Sequence, residues 1–171
     1  NHMRQFGRKS DPNLEPVLLN DVLERAFEIF SQQLKLRDIE VVWELEPNLP
    51  KISADPGRLE QVFINLLLNA RDAIEEKRDE GTIQVTSHRR DDQIIVRIAD
   101  TGVGMSDDLL KHLFEPFFTT KGPGKGTGLG LFTCYRTLIR HGGEIRVDSL
   151  EGEGTVFRIA LPIRREPALE A

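Results

Sequence analysis

Two glycine clusters bracketing a long interval, from Asp100 to Leu131, constrain this chain more than any other part of it. The stretch opens as Asp100-Thr101-Gly102-Val103-Gly104 and closes as Gly126-Thr127-Gly128-Leu129-Gly130. Glycine has no Cβ and tolerates positive φ, so backbone at both ends can come close to a ligand. The first cluster follows Gln93 to Ala99, which reads as a strand. The second runs into Leu131 to Ile139, whose apolar spacing is helical. A helix opened by glycines presents free N–H groups and a positive dipole end to an anion. The pattern therefore sets a carboxylate at a strand end against a phosphate-ready helix start. Taken singly, each cluster also reads as an ordinary surface turn. No single G-x-G-x-x-G joins strand to helix, and no Gly-Lys-Ser/Thr closes a Walker loop.

Around this stretch the chain alternates helical and extended patterns. Residues 1–11 are basic and then broken by Asp11-Pro12, and they read as the end of a preceding helix or a vector scar plus a hinge. Val17-Leu18-Leu19 suggests a short strand. Asn20 or Asp21 is expected to cap a helix over 20–36, with Val22, Leu23, Ala26, Phe27, Phe30 and Leu34 inward. Ile39 to Glu46 alternates as a half-buried strand, and Ile52-Ser53-Ala54 is a short extended piece. Asp55 as N-cap and Pro56 at the first helical position start a helix over 56–78. Its core face holds Leu59, Val62, Phe63, Leu66, Leu67, Ala70 and Ile74. At about 100° per residue, Asn65, Asn69 and Asp72 share one stripe beside that face. Asparagine is a poor interior helix former, so the stripe is either a solvated face or a working one. Two hairpins follow, one turning at Asp91-Asp92 and one at Glu151-Gly152-Glu153-Gly154. Between them lies a helix over 128–141 that stops at His141-Gly142-Gly143. Residues 164–171 form a polar tail.

Bulk properties narrow the function classes. The 171 residues suit one domain with a real core, and 39% hydrophobic with 30% charged residues is globular composition. A net charge of −5 argues against a nucleic-acid partner. Cys134 is the single cysteine, which excludes a disulfide framework or thiolate metal site and suggests a core thiol. His88, His112 and His141 show no nucleophile or metal spacing, and His141 reads as a helix-end residue.

Four separated signals then occur in order: Asn65-Leu66-Leu67-Leu68-Asn69-Ala70, Asp100-x-Gly102-x-Gly104, Phe114-Glu115-Pro116-Phe117-Phe118, and Gly126-x-Gly128-x-Gly130. Gly152 and Gly154 precede the last strand. Together, over residues 12–163, they resemble the ATP-binding catalytic domain of sensor histidine kinases in the GHKL superfamily, with its N, G1, F, G2 and G3 boxes. The wording Phe117-Phe118-Thr119-Thr120-Lys121 is similar to the nitrogen-regulation branch. The resemblance implies an α+β fold, a two-layer α/β sandwich of the Bergerat type. In it a mixed, mostly antiparallel sheet is backed by three helices. It also implies ATP and Mg²⁺ as cofactors. Asn69 is similar to the family's magnesium ligand, assisted by Asn65, and a carboxamide oxygen suits a hard cation. Asp100 resembles the adenine reader, with Gly102 and Gly104 admitting the ring. Gly126, Thr127, Gly128, Leu129 and Gly130 correspond to the phosphate-side turn, Lys121 and Lys125 to lid cations, and Asp72 and Thr155 to the rest of the nucleotide set. Phe114, Phe117 and Phe118 are expected to pack under the lid.

The implied reaction passes the ATP γ-phosphate to a histidine on a separate dimerisation domain, and from there to the aspartate of a response-regulator receiver domain. No histidine here is followed by an acid, so that acceptor motif is not in the chain and autophosphorylation is not expected from it alone. The isolated chain is expected to be a cytoplasmic monomer, and its parent a homodimer, whether or not that parent is membrane-anchored. Two alternatives stay open. One is an ATPase of the gyrase-B, mismatch-repair or heat-shock-chaperone type, in which a glutamate would replace Asn65. The other is a nucleotide-sensing module with an inactive kinase site, a serine kinase of the anti-sigma type being a lesser variant.

Overall fold

A computed structural model describes residues 13–35, 38–77, 80–116 and 130–163. Seven strands and four helices are placed among them. They are β1 (Glu15–Val17), α1 (Leu19–Lys35), β2 (Ile39–Leu45), β3 (Ile52–Ala54), α2 (Pro56–Lys77), β4 (Gly81–Arg90), β5 (Gln93–Asp100), α3 (Asp107–His112), α4 (Gly130–Arg140), β6 (Glu144–Leu150) and β7 (Gly154–Pro162). Five strands form a sheet in the order β2-β4-β5-β7-β6, with β2 parallel to β4 and the other neighbours antiparallel. Helices α1, α2 and α4 pack on one face of it, which is the expected two-layer architecture.

Alternation along the central strands decides which side chains meet those helices, although Ile95 and Ala160 on the outer face are buried too. In β5, Ile94, Val96 and Ile98 are buried inward, and Asp100 follows them on the same side. In β7, Thr155, Phe157, Ile159 and Leu161 do the same. Helix α2 is the centre of the core. Leu59, Phe63 and Leu66 are fully buried, while the Asn65–Asn69–Asp72 stripe is half-buried at its flank. Asp55 caps this helix as expected, its Oδ1 accepting the N–H of Arg58 at 3.2 Å.

The chain's start departs from the sequence reading. The first strand is Glu15–Val17, paired with β3 in a separate two-stranded sheet, and Leu18 and Leu19 are not part of it. Leu19 turns inward as the first residue of α1, so Asn20 and Asp21 lie inside the first turn rather than at the cap. Asn20 is a tether instead. Its Nδ2 donates to the Glu46 carbonyl at 2.8 Å and its Oδ1 accepts from Ser87 Oγ at 2.8 Å. Tertiary partners for the carboxamide outweigh the local cap. The sequence-predicted helix over 128–141 is present from Gly130, its two preceding residues lying outside the described set.

Candidate nucleotide site

The helix α2 stripe runs between two ends of one surface. Asn65 lies toward α4. Its Nδ2 is 3.8 Å from Cys134 Sγ, and a Cβ built on Gly130 would lie 4.0 Å from that nitrogen. Ala73 lies at the other end, where its carbonyl accepts the N–H of Val103 at 3.1 Å. Eight residues of helix separate the two, about 12 Å. Asn69 sits midway.

The far end is built around a buried carboxylate. Asp100 is 8% exposed, and its Oδ1 accepts the N–H of Gly102 at 2.8 Å. Burial pushes its carboxyl up to about 6, opposed by hydrogen bonds from the backbone of Gly102 and of Thr155. A carboxylate offers about four acceptor positions, so two such bonds leave capacity for a ligand donor. The turn after Asp100 is gripped from three sides. A Cβ on Gly102 would strike the backbone and side chain of Ala73. One on Gly104, whose φ is +70°, would strike the carbonyl of Leu150. These glycines thus admit neighbouring protein backbone at the turn where the resemblance puts the base. Lys77 Nζ ties the turn to the last hairpin, donating to the Gly152 carbonyl at 3.0 Å and to that of Thr101 at 3.4 Å.

Thr155 is buried beside Asp100, its register partner. Its Oγ1 is 2.8 Å from Ser149 Oγ, which accepts the N–H of Met105 at 2.8 Å. Ser149 therefore holds the residue that leads into α3, whose N-cap is Ser106. Sequence reasoning passed over Ser149, because one serine on an alternating strand carries no signal.

At the other end the carboxamide of Asn65 is fixed in orientation. Gln61 Nε2 donates to its Oδ1 at 3.1 Å, while its Nδ2 faces the thiol. Cys134 is the core cysteine expected, with burial pushing its thiol up to about 12 so that it stays protonated and donates to the Val62 carbonyl. Its contact with Asn65 was not foreseen. Asp72 lies 3.0 Å from Arg71 Nη2 and is thus part of a half-buried ion pair. Among the described residues no hydrogen bond holds the Asn69 carboxamide. Phe114 stacks on Tyr135 of α4, centroids 5.6 Å apart, while most of the segment it was expected to pack under lies outside the described residues. Lys121, Lys125, Gly126, Thr127, Gly128, Leu129, Phe117 and Phe118 lie outside the described residues.

His141 is more than a helix end. It is 2% exposed, its Nδ1 is 2.8 Å from the Thr137 carbonyl, and its Nε2 accepts the N–H of Asp55 at 3.0 Å. It joins the end of α4 to the start of α2. A depression of about 270 Å³ lined by Val42, Thr82, Gln84, Ala99, Asp100 and Thr101 is not the base-side recess. It opens on the outer face of the sheet, whereas the Asp100 side chain follows Ile98 to the helix side.

Known proteins give the same picture from outside. Residues 54–165 match the family described as histidine kinase-, DNA gyrase B- and HSP90-like ATPases. Sensor histidine kinase ZraS of Salmonella typhimurium is 41% identical over 151 residues, 88% of this chain but 31% of that kinase. The catalytic domain of histidine kinase ThkA superposes with a TM-score of 0.77 at 31% identity, covering 88% of this chain and 98% of that one. Full-length ShkA in complex with AMPPNP superposes with a TM-score of 0.78 at 31% identity, covering 90% of this chain and 32% of that one. None of these is named for nitrogen regulation.

Proposed function

The chain belongs to the family of histidine kinase-, DNA gyrase B- and HSP90-like ATPases, and from that premise we propose that it binds Mg-ATP and donates the γ-phosphate to a histidine on a separate dimerisation domain. The observation that carries this reading is the α2 stripe. It joins a buried carboxylate with spare acceptor capacity to the glycine-led start of α4. Asp100 takes the adenine amino group. A guanine carbonyl, which is an acceptor, would leave that carboxylate unsatisfied. Asn69, whose carboxamide no described residue holds, suits a hard divalent cation on the phosphate oxygens, and such a cation would offset the phosphate charge. Asn65 assists from one turn earlier. Its fixed carboxamide can orient a group by hydrogen bonding but cannot take a proton. Asp72 lies two turns further along the helix, beside Arg71. Hydrolysis therefore finds no carboxylate at the Asn65 position, which favours transfer to an imidazole, itself a nucleophile. Residues 12–163 are the catalytic unit in this reading, and Lys121, Lys125 and the 126–130 turn complete the phosphate side. The domain's partners are its own phosphoacceptor domain and, through the whole kinase, a receiver domain. No described helix is long and apolar enough to cross a membrane.

The test is to incubate the chain with radiolabelled ATP, with and without a separately made dimerisation domain. Label should appear on the acceptor histidine only in the mixture. Steady turnover without an acceptor, abolished by Asn69→Ala, would overturn the kinase reading in favour of an ATPase.

A further inference from the structure

The outer face of the five-stranded sheet, opposite the helices, carries an arrangement that folding alone does not explain. Arg97 of β5 pairs in register with Arg158 of β7, and Arg158 with Arg146 of β6. Alternation puts all three on the face away from the helices, since Val96, Ile98, Phe157 and Ile159 point inward. At the usual spacing between strands the row is about 10 Å long. Like charges directly opposite one another destabilise a sheet. The chain as a whole has 28 acidic and 23 basic residues, so the row runs against its overall charge.

The surrounding acids do not resolve the conflict. Glu144 touches Arg146 at 3.9 Å, on a side chain that is 74% exposed. Asp148 lies two residues further along that edge strand. Across Thr86 on the other side, Glu44 is held by Gln84 Nε2 at 3.1 Å. Among the described residues no ion pair reaches Arg97 or Arg158. The Nε of Arg97 is buried and has no hydrogen-bond partner, the one such side-chain atom among the described residues. An exposed arginine is satisfied by water, but this nitrogen is not.

We propose that the Arg97–Arg158–Arg146 row is a docking surface for an acidic helical segment of a partner protein. Arginine forks bind carboxylates in bidentate fashion, and each fork fixes direction as well as charge. Carboxylates at i, i+3 and i+7 of a helix lie about 5–6 Å apart, close to the step between neighbouring strands of the row. An extended segment spaces its same-face side chains at roughly 6.6 Å or more, a poorer match. The helix lies across the strands, and the depression between Val42, Gln84 and Ala99, two residues along the strands from the row, offers a seat for a flanking side chain. The site is on the opposite face of the sheet from α2 and α4, so occupation leaves the nucleotide site open. It stands whether or not the phosphotransfer reading does.

The test uses a synthetic helical peptide bearing glutamates at i, i+3 and i+7, against the isotope-labelled chain. Its addition should shift the Nε–H resonances of Arg97, Arg158 and Arg146 saturably. The triple substitution R97Q/R158Q/R146Q should weaken binding by roughly tenfold or more, and a glutamine version of the peptide should not bind. Equal binding by the triple variant, or absent arginine shifts, would overturn the proposal. So would displacement of the peptide by heparin or by phosphatidylglycerol vesicles at equal charge concentration, which would point to a general polyanion or a membrane. A second readout needs no ligand. Arg158→Thr removes the central charge and should raise Tm by about 2 °C, and a lowered Tm would show that the row is not in conflict.

Discussion

In the proposed reading, the two ends of the α2 stripe meet one ligand in opposite ways. The Asp100 end is made from the core, with a nearly buried carboxylate, backbone hydrogen bonds and glycines pressed against Ala73 and Leu150. The Asn65–Asn69 end is made on the surface of a helix that would fold as well with other polar side chains. Recognition of a flat, neutral base, the role proposed for Asp100, calls for rigid, dry surroundings, and such surroundings must share their atoms with the core. Capture of a hydrated cation calls only for an oxygen at the right place on a firm support. Changes at the first end should therefore alter both stability and binding, and changes at the second should alter binding alone.

The largest effect that would sharpen this contrast is expected at Gly102. Gly102→Ala forces a Cβ into the backbone of Ala73 and should cost about 3 kcal/mol of stability in urea unfolding. A loss under about 1 kcal/mol would mean that the turn is not clamped. Next, Asp100→Asn should weaken ATP binding by about 1.5–3 kcal/mol, the range for a hydrogen bond to a charged group. Calorimetry giving an unchanged dissociation constant would remove Asp100 as the adenine reader. Asn69→Ala should weaken Mg-ATP binding by roughly tenfold, about 1.4 kcal/mol, and leave metal-free adenosine binding unchanged. Equal losses for both ligands would exclude the metal role.

A smaller effect carries a sign. Burial raises the Asp100 carboxyl from 3.8 to about 6. Its favourable contribution to folding is thus fully present below the unfolded value and is lost as pH rises through about 6. At pH above that window Asp100→Asn should stabilise the nucleotide-free chain by about 1 kcal/mol. The gain should vanish once both pKa values are passed on the acid side. A variant less stable than the parent at neutral pH would show that the carboxylate is not strained by its burial. The smallest expected effect is the stability of Asn69→Ala, within about 0.5 kcal/mol of the parent, and a larger loss would erase the distinction between the two ends.

The same contrast explains what the sequence made legible. Period and caps were enough for α2, because Asp55-Pro56 and an unbroken apolar face are local facts. Alternation was enough for β4, β5 and β7. The stripe and the strand-end carboxylate could be seen because each is an anomaly against its own background, asparagine in a helix or an acid after Ile98. What escaped is contact across the chain. The parallel pairing of β2 with β4, the Asn20 tether, the Ser149 bridge and the Asn65–Cys134 contact join residues far apart in sequence. Their side chains look ordinary in any local window. Gly102 and Gly104 were visible, but their protein neighbours Ala73 and Leu150 were not, since nothing near either glycine in sequence names them.

The His141 staple has a consequence for how α4 opens. Helices ordinarily fray from both ends, because the terminal backbone groups lack partners. Here the C-terminal end is closed twice, by the Gly142 and Gly143 N–H groups returning to Ile139 and Leu138 at 2.9 Å each, and by the imidazole gripping Asp55. Near the middle, Cys134 holds the Val62 carbonyl. The other end begins at exposed Gly130. Helix α4 should therefore behave as a rod anchored at its tail, and its amide exchange should slow steadily from Gly130 toward His141. Any movement at the Gly130 end then becomes a swing about the start of α2, the helix that carries the asparagine stripe.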